Sequence, residues 1–190
     1  GADNRRALRV NCPSTTNSRG IMVLTKSELI KALQDEVRIL LHLASKIDRS
    51  QLDYRPTPKQ RSTIELLRYL TLMGPALTQA ATAKGFDREA WGVASKAAEA
   101  QDFDQTLAAI TAHHDVYASL LGGMSDADFR TEMTAFNGST VSRGAFIVNM
   151  VLGGCAAYRT QLFLYLKACG RHELTTANLW RGVDAPPPTA

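Results

Sequence analysis

The sequence lacks the cysteines that a disulfide framework needs. It has only three in 190 residues, at Cys12, Cys155 and Cys169. The last two fall in one predicted helix, where a separation of 14 residues corresponds to about 21 Å, well beyond the roughly 7 Å that a bridge allows between Cα atoms. Free thiols are typical of a reducing compartment, so the sequence favours a cytoplasmic location.

Long apolar runs and one-sided charge are also lacking. The uncharged run from Gly144 to Tyr158 ends at Arg159, short of the roughly 20 apolar residues that a bilayer span needs. Residues 1–21 carry +3 of the net charge of +4 but contain no apolar core of a secretory signal. This basic excess falls in a predicted tail, whereas a nucleic-acid binder concentrates it on a folded face. The sequence therefore favours neither a membrane nor a nucleic acid as partner.

The common catalytic motifs are missing as well. The sequence contains no glycine-rich loop before Lys-Ser/Thr, no paired Cys-x-x-Cys and no Gly-x-Ser-x-Gly. No segment combines β-branched residues with clean alternation, so few strands are expected. The composition, with 45% hydrophobic residues, is that of a globular protein, and no motif identifies a reaction that it catalyses.

Helical periodicity is the dominant positive signal. Capping boxes at Thr25 and Ser62 begin two amphipathic helices, Asp102 begins a third, and Ser142 begins a long and largely buried last helix that ends at Gly170. The sequence therefore predicts an all-α four-helix bundle over residues 25–170. Residues 1–24 and 171–190 are predicted to be irregular tails.

The connections and the histidines carry further predictions. The pair Gly74-Pro75 predicts a kink or break in the second helix. Residues 86–103 form a connection with one short helix around Trp91, and residues 131–140 form a short hairpin or an irregular loop. Adjacent histidines point about 100° apart on a helix, so His113 and His114 cannot serve one metal from the same face. We predict that His114 packs in the core and that His42 lies at the surface or boundary.

Two segments resemble a known family. The segment LDYRPTPKQRSTIELLRYL at 52–70 and the segment AYRTQLFLYLKACG at 157–170 are similar to the DinB-like, or YfiT-like, family. There, an aromatic-Arg-Pro segment leads through a serine cap into the second helix, and the last helix carries a His-Arg-Gly-Gln-like segment. The resemblance implies a four-helix bundle that is frequently dimeric, so we expect a homodimer. It also implies a divalent metal held by three histidines.

The resemblance places the three metal-binding positions at Tyr69, Gly154 and Tyr158. None is a histidine, so we expect no metal and no other cofactor at these positions, which are called the substituted site below. Arg143, Cys155, Arg159 and Gln161 are candidate neighbours. Cys155 is expected to be inert, because burial among apolar neighbours raises a thiol pKa.

Two interpretations of the substituted site remain open. In the first, the protein is a metal-free binding or interaction module, with a small-molecule ligand or with the two tyrosines filling the space. In the second, it is an enzyme of the thiol-dependent transferase, isomerase or hydrolase type that the resemblance implies, with a phenol as acid or donor and Arg159 or Arg143 holding an anionic substrate. The first is favoured because a phenol is a weak base at neutral pH. Under either, the tyrosines, Arg159 and Gln161 can also be ordinary packed residues.

Overall fold

The computed structural model describes residues 24–83 and 85–186. The N-terminal segment predicted to be a tail lies outside these residues, apart from Leu24, as does Cys12. Within the described residues, no helix is both long and apolar enough to cross a membrane.

Helices dominate the described chain, as predicted. The longer ones are α1 (Lys26–Ala44), α2 (Thr63–Thr82), α3 (Arg88–Glu99) and α4 (Phe103–Gly122), and a single 3₁₀ turn, Arg49–Gln51, lies between α1 and α2. Capping boxes at Thr25, Ser62 and Asp102 begin α1, α2 and α4, since each side chain accepts from the third backbone N–H of its helix. The connection between α2 and α4 thus contains a full three-turn helix, α3.

The last long helix is continuous but not regular. It begins as α6 (Arg143–Phe146), passes through a π-helical segment (Ile147–Leu152) and continues as α7 (Gly153–Ala168). The prediction that it is buried holds for one face only. The opposite face of α7 is exposed and carries small or apolar residues at helical spacing: Gly153, Ala157, Thr160, Leu164 and Ala168.

Four helical segments enclose one apolar core. Helices α1 and α2 both pack on α4, and α7 closes the bundle against α1 and α2. The side chains with the least exposure come from all four: Leu33, Leu43, Leu66, Leu67, Ile110, Tyr117, Leu121, Ile147 and Leu162. This arrangement confirms the prediction of an all-α four-helix bundle.

Helix α2 runs through Pro75 without a break. Proline has no N–H, so the carbonyl oxygen of Thr71, four residues earlier, loses its usual helical donor. His113 of α4 replaces it, because its Nε2 lies 2.9 Å from that oxygen and only the protonated nitrogen can donate to a carbonyl. The buried histidine is therefore His113, while His114 is exposed, and the prediction for His114 was wrong.

A short hairpin connects α4 to the last helix. After the five-residue helix α5 (Asp126–Arg130), β1 (Glu132–Thr134) pairs antiparallel with β2 (Thr140–Ser142), with Met133 opposite Val141. The Gly138 N–H donates to the Ala135 carbonyl and closes the turn, and Gly138 itself adopts the left-handed φ of +82° that follows such a turn in a hairpin. Of the two alternatives for residues 131–140, the structure contains the hairpin.

The C-terminal segment contains a helix that the sequence reading missed. Helix α8 (Thr176–Arg181) packs on α1. The buried amide of Asn178 donates to Asp184, whose carboxylate also binds Lys46 at 2.7 Å. Gly182, at a φ of +58°, ends the helix so close to α1 that a Cβ would lie 3.0 Å from the Ile39 Cα. Residues 175–184 are thus part of the fold rather than an irregular tail.

Candidate functional site

The substituted site lies where one face of α2 meets one face of α7. The rings of Tyr69 and Tyr158 contact each other edge to face, with centroids 5.1 Å apart. One turn along each helix, Gly154 faces Met73, and a Cβ on Gly154 would lie 3.2 Å from the Met73 Cε and 3.3 Å from its Sδ. The space at Gly154 is therefore filled by a methionine thioether, and the tyrosine rings lie one turn away.

The ring of Tyr69 also contacts a guanidinium group and a second aromatic side chain. The guanidinium of Arg61 lies over its ring at 3.9 Å from the centroid, and the ring of Trp91 lies at 6.0 Å. Burial, reinforced by the neighbouring Tyr158 hydroxyl, raises the pKa of Tyr69 to about 12. Tyr69 is therefore protonated at neutral pH and acts as a hydrogen-bond donor rather than as a base.

Gln161 has a supporting role beside the site. Its amide donates to the Tyr165 hydroxyl at 2.6 Å, and that hydroxyl donates to the carbonyl oxygen of Arg61 at 2.9 Å. The chain of bonds fixes the segment before α2 against α7. Gln161 thus holds the backbone of the residue whose guanidinium covers Tyr69.

Arg159 does not face the substituted site. It is buried and forms an ion pair with Glu36 of α1 at 2.9 Å, while Trp180 of α8 covers its guanidinium at 5.6 Å. Neither Arg159 Nε nor Glu36 Oε2 has a hydrogen-bond partner among the described residues. Burial raises the pKa of Glu36 even though Arg159 opposes the shift. Arg159 is therefore committed to an internal ion pair and is not free to hold a substrate.

The other two candidate neighbours also lie elsewhere. Cys155 lines a minute cavity of about 10 Å³ with Glu36, His113 and Tyr117, and burial, with the nearby charge of Glu36, raises its pKa to about 12. Its thiol is therefore protonated at neutral pH. Arg143 lies near Asp128 of α5. The backbone N–H of Ser125 is the main cause that lowers the pKa of Asp128, and the charge of Arg143 adds to this effect. The geometry joins neither side chain to the tyrosine pair.

An open cavity lies beside Tyr69 on the side of α3 and the hairpin. It has a volume of about 330 Å³ and is called the aromatic cleft below. Its lining comes from α2, α3, the segments that precede α3 and follow β1, and the π-helical turn: Tyr69, Met73, Leu77, Phe86, Arg88, Trp91, Phe136 and Met150.

Ring contacts fix the walls of the aromatic cleft. Phe86 contacts Trp91 and Phe136, with centroids 5.5 Å apart in both pairs, and Phe136 also contacts Phe146 at 5.8 Å. Sequence reasoning found Tyr69 but missed the remaining lining residues. Phe86 and Phe136 lie in non-periodic connections, so only the placement of a short helix around Trp91 pointed towards them.

The residues of the substituted site do not fit a divalent metal. Zinc and related ions are bound by neutral imidazole nitrogen, thiolate sulfur or carboxylate oxygen. This site offers instead a phenol with a raised pKa, a second phenol and a glycine. The thioether of Met73 occupies the space next to Gly154. Within the described part of the chain, no group of three or more His, Cys, Asp or Glu side chains is arranged to hold an ion.

Comparison with solved structures shows which known proteins share this fold. The fold is similar to the DinB-like protein YjoA from Bacillus subtilis, with a TM-score of 0.60 and 16% identity over 77% of this chain and 94% of that chain. It is also similar to YfiT from Bacillus subtilis, described as a probable metal-dependent hydrolase with an unusual four-helix bundle topology, with a TM-score of 0.61 and 15% identity over 80% and 91% of the two chains. At these identities the likeness shows the fold alone.

The sequence itself gives the family. Residues 32–152 match the DinB superfamily, and the chain belongs to that superfamily. No curated protein matches the sequence.

Proposed function

We propose that the protein is a metal-free binding module that takes a small molecule in the aromatic cleft. The observation that carries the proposal is the cavity of about 330 Å³ beside Tyr69, which has four aromatic rings in its lining. Ligand sites are typically concave, mostly apolar and supplied with a few polar groups. This cleft has that composition and adjoins the positions at which the family resemblance implies a metal.

Catalysis is the competing function, since YfiT is described as a probable metal-dependent hydrolase. The donor set of the substituted site does not support carrying that chemistry to this chain. A phenol whose pKa is about 12 is also a poor general base near pH 7, and Arg159 is engaged with Glu36. The residues therefore favour binding over the thiol-dependent or hydrolytic enzyme.

The two tryptophans provide a built-in test. Trp91 lines the aromatic cleft, whereas Trp180 lies on α8 against Arg159. Fragments of low molecular weight are titrated into ¹⁵N-labelled protein, and the two indole N–H resonances are followed by NMR. We expect ligands to shift the Trp91 resonance in a saturable way and to leave Trp180 unchanged.

A matched variant checks the location. Phe136 is 56% exposed, so Phe136→Ala removes a wall of the cleft at small cost to folding, and it should weaken the same ligands. Fragments that shift both indoles equally, or bind equally well to Phe136→Ala, would contradict the proposal.

We also propose that the protein is a cytoplasmic homodimer. Cys155 and Cys169 are both free, which suits a reducing compartment. The exposed face of α7, with Leu164 at 59% exposure, offers a second copy an apolar helix surface of the kind that symmetric dimers bury.

A further inference from the structure

We infer that the ligand of the aromatic cleft is a small oxyanion with a flat apolar body, an aromatic carboxylate, sulfonate or phosphate, whose charge is bound by Arg88. The inference rests on the proposed function, because it names the chemical class of the ligand for the same cleft. It is drawn from the polar groups and rings that line the cavity.

Hydrogen-bond donors dominate the polar lining. The polar side chains that line the cleft are those of Tyr69, Arg88 and Trp91, and each carries a donor. None of the described lining residues has a carboxylate, amide or imidazole. Tyr69 stays protonated because its pKa is raised to about 12. Such a set is complementary to an oxyanion, which only accepts hydrogen bonds.

Two of these donors are available to a ligand. Neither the guanidinium of Arg88 nor the indole N–H of Trp91 has a hydrogen bond or ion pair within residues 24–83 and 85–186. A guanidinium presents its N–H groups in a planar fork that matches a carboxylate, sulfonate or phosphate. Arg88 is therefore placed to pair with an anion at the mouth of the cleft.

The remaining lining selects the body of the ligand. The ring of Phe86 contacts the rings of Trp91 and Phe136, at 5.5 Å in each pair. Met73, Leu77 and Met150 supply flexible apolar surface. A flat ring is the shape that such walls contact best. A cationic ligand is disfavoured, because Arg88 is the one charged residue among the described residues of the lining and Arg61 adds a second positive charge over Tyr69.

Two fluorescent probes test charge and body separately. Anilinonaphthalene sulfonate and N-phenylnaphthylamine share one aromatic framework and differ in the sulfonate. Binding is measured in Trp180→Phe protein, in which Trp91 is the single tryptophan, so energy transfer from Trp91 reports a probe bound within range of the cleft. We expect the sulfonate probe to bind more tightly than its uncharged counterpart.

Arg88→Met removes the charge and keeps an apolar stem. We expect it to weaken the sulfonate probe by about fivefold, the upper range for an exposed ion pair, and to leave the uncharged probe unchanged. Lys96→Met is the matched control, since it removes one positive charge from the same helix, α3, at a residue that does not line the cleft. It should change neither affinity.

The possible failures are distinct. If both probes bind beside Trp91 with equal affinity and Arg88→Met affects neither, the oxyanion is refuted while the binding function stands. If neither probe transfers energy from Trp91 in correctly folded protein, both proposals fail. If Lys96→Met weakens the sulfonate probe as much as Arg88→Met does, general positive charge explains the binding and Arg88 has no specific role.

Discussion

The contact between His113 and Thr71 allows a sharp test of how the bundle accommodates a proline inside α2. The perturbation is His113→Phe, which keeps an aromatic ring near Tyr117, now 5.9 Å away by centroid, but removes the donor. Because Pro75 supplies no N–H, the Thr71 carbonyl then has no partner in a buried position. Leaving a buried acceptor unsatisfied costs about 1–3 kcal/mol.

A second substitution isolates that cost. Pro75→Ala returns a backbone N–H four residues after Thr71, so the carbonyl regains an intrahelical bond. In this background His113→Phe should lower the free energy of unfolding only by the effect of replacing one ring with another. The two substitutions should therefore couple by about 1–2 kcal/mol, within the range found for residues that share one network.

Urea unfolding of the four proteins at pH 8 measures the coupling, because histidine is neutral there in both folded and unfolded chains. Equal costs of His113→Phe with Pro75 and with alanine at position 75, within about 0.5 kcal/mol, would refute the view that His113 replaces the donor missing from the proline. Circular dichroism shows whether each variant retains its helices.

The same histidine predicts a pH dependence. Burial lowers the pKa of His113 in the folded protein, against the effect of the Thr71 carbonyl, so protons bind preferentially to the unfolded chain. Stability is then complete above about pH 6.5 and falls as the pH drops below it, by up to about 1.4 kcal/mol per pH unit. His42, whose pKa burial also lowers, contributes in the same direction, so His113→Phe should reduce the slope without abolishing it.

Three further predictions concern the rest of the bundle. Glu36→Leu or Arg159→Met alone should lower the free energy of unfolding in urea by about 3–5 kcal/mol, because each leaves a buried charge unpaired. The double variant should have a stability near that of the wild type, and additive losses would contradict this. The wild-type protein should bind no stoichiometric zinc in metal analysis. Histidine at all three positions of the substituted site should create a zinc site only together with Met73→Ala. Full zinc occupancy without Met73→Ala would show that the thioether does not block metal binding. Light scattering should give a dimer mass that Leu164→Glu reduces to the monomer, and a monomeric wild type at high micromolar concentration would refute the dimer.

Local signals predicted the helix starts of the bundle well. Thr25, Ser62 and Asp102 each cap the helix that they were expected to begin, because a side-chain cap satisfies backbone donors that lack any other partner. The same logic also fits α8, whose capping box at Thr175 and left-handed Gly182 are present in the structure. Its six residues are too few to show periodicity, so the contacts with α1 that stabilise it could not be read from the sequence.

The choice between His113 and His114 required knowledge of a tertiary contact. Both residues lie three or four positions from Ile110 and Tyr117, so periodicity alone does not decide which of them joins the apolar stripe of α4. The decisive information was in another helix, where Pro75 leaves the Thr71 carbonyl in need of a donor. A proline within a helical pattern therefore predicts a donor on a neighbouring helix, a signal that the sequence reading treated only as a kink or break.

The candidate site shows the same division between local and tertiary information. Family resemblance brought Tyr69 and Tyr158 together, and their rings do contact. The residues that make the adjoining space useful, Phe86, Arg88 and Phe136, lie in or next to connections whose positions depend on how α3 and the hairpin pack. Sequence reasoning instead named Arg159, the next residue after Tyr158, but a step of about 100° around the helix turns its side chain towards α1.

The source of positive charge links the substituted site to the proposed ligand. Three neutral imidazoles with a divalent ion, the arrangement that the family resemblance implies, would place two positive charges at this level of the bundle. In this chain neutral tyrosine rings and the thioether beside Gly154 fill that level, and the neighbouring charges include the guanidinium groups of Arg88 and Arg61. A guanidinium pairs with an oxyanion but does not activate water as a bound metal does. The proposed anionic ligand would therefore be recognised here without the chemistry that a metal supplies, as the proposed binding function requires.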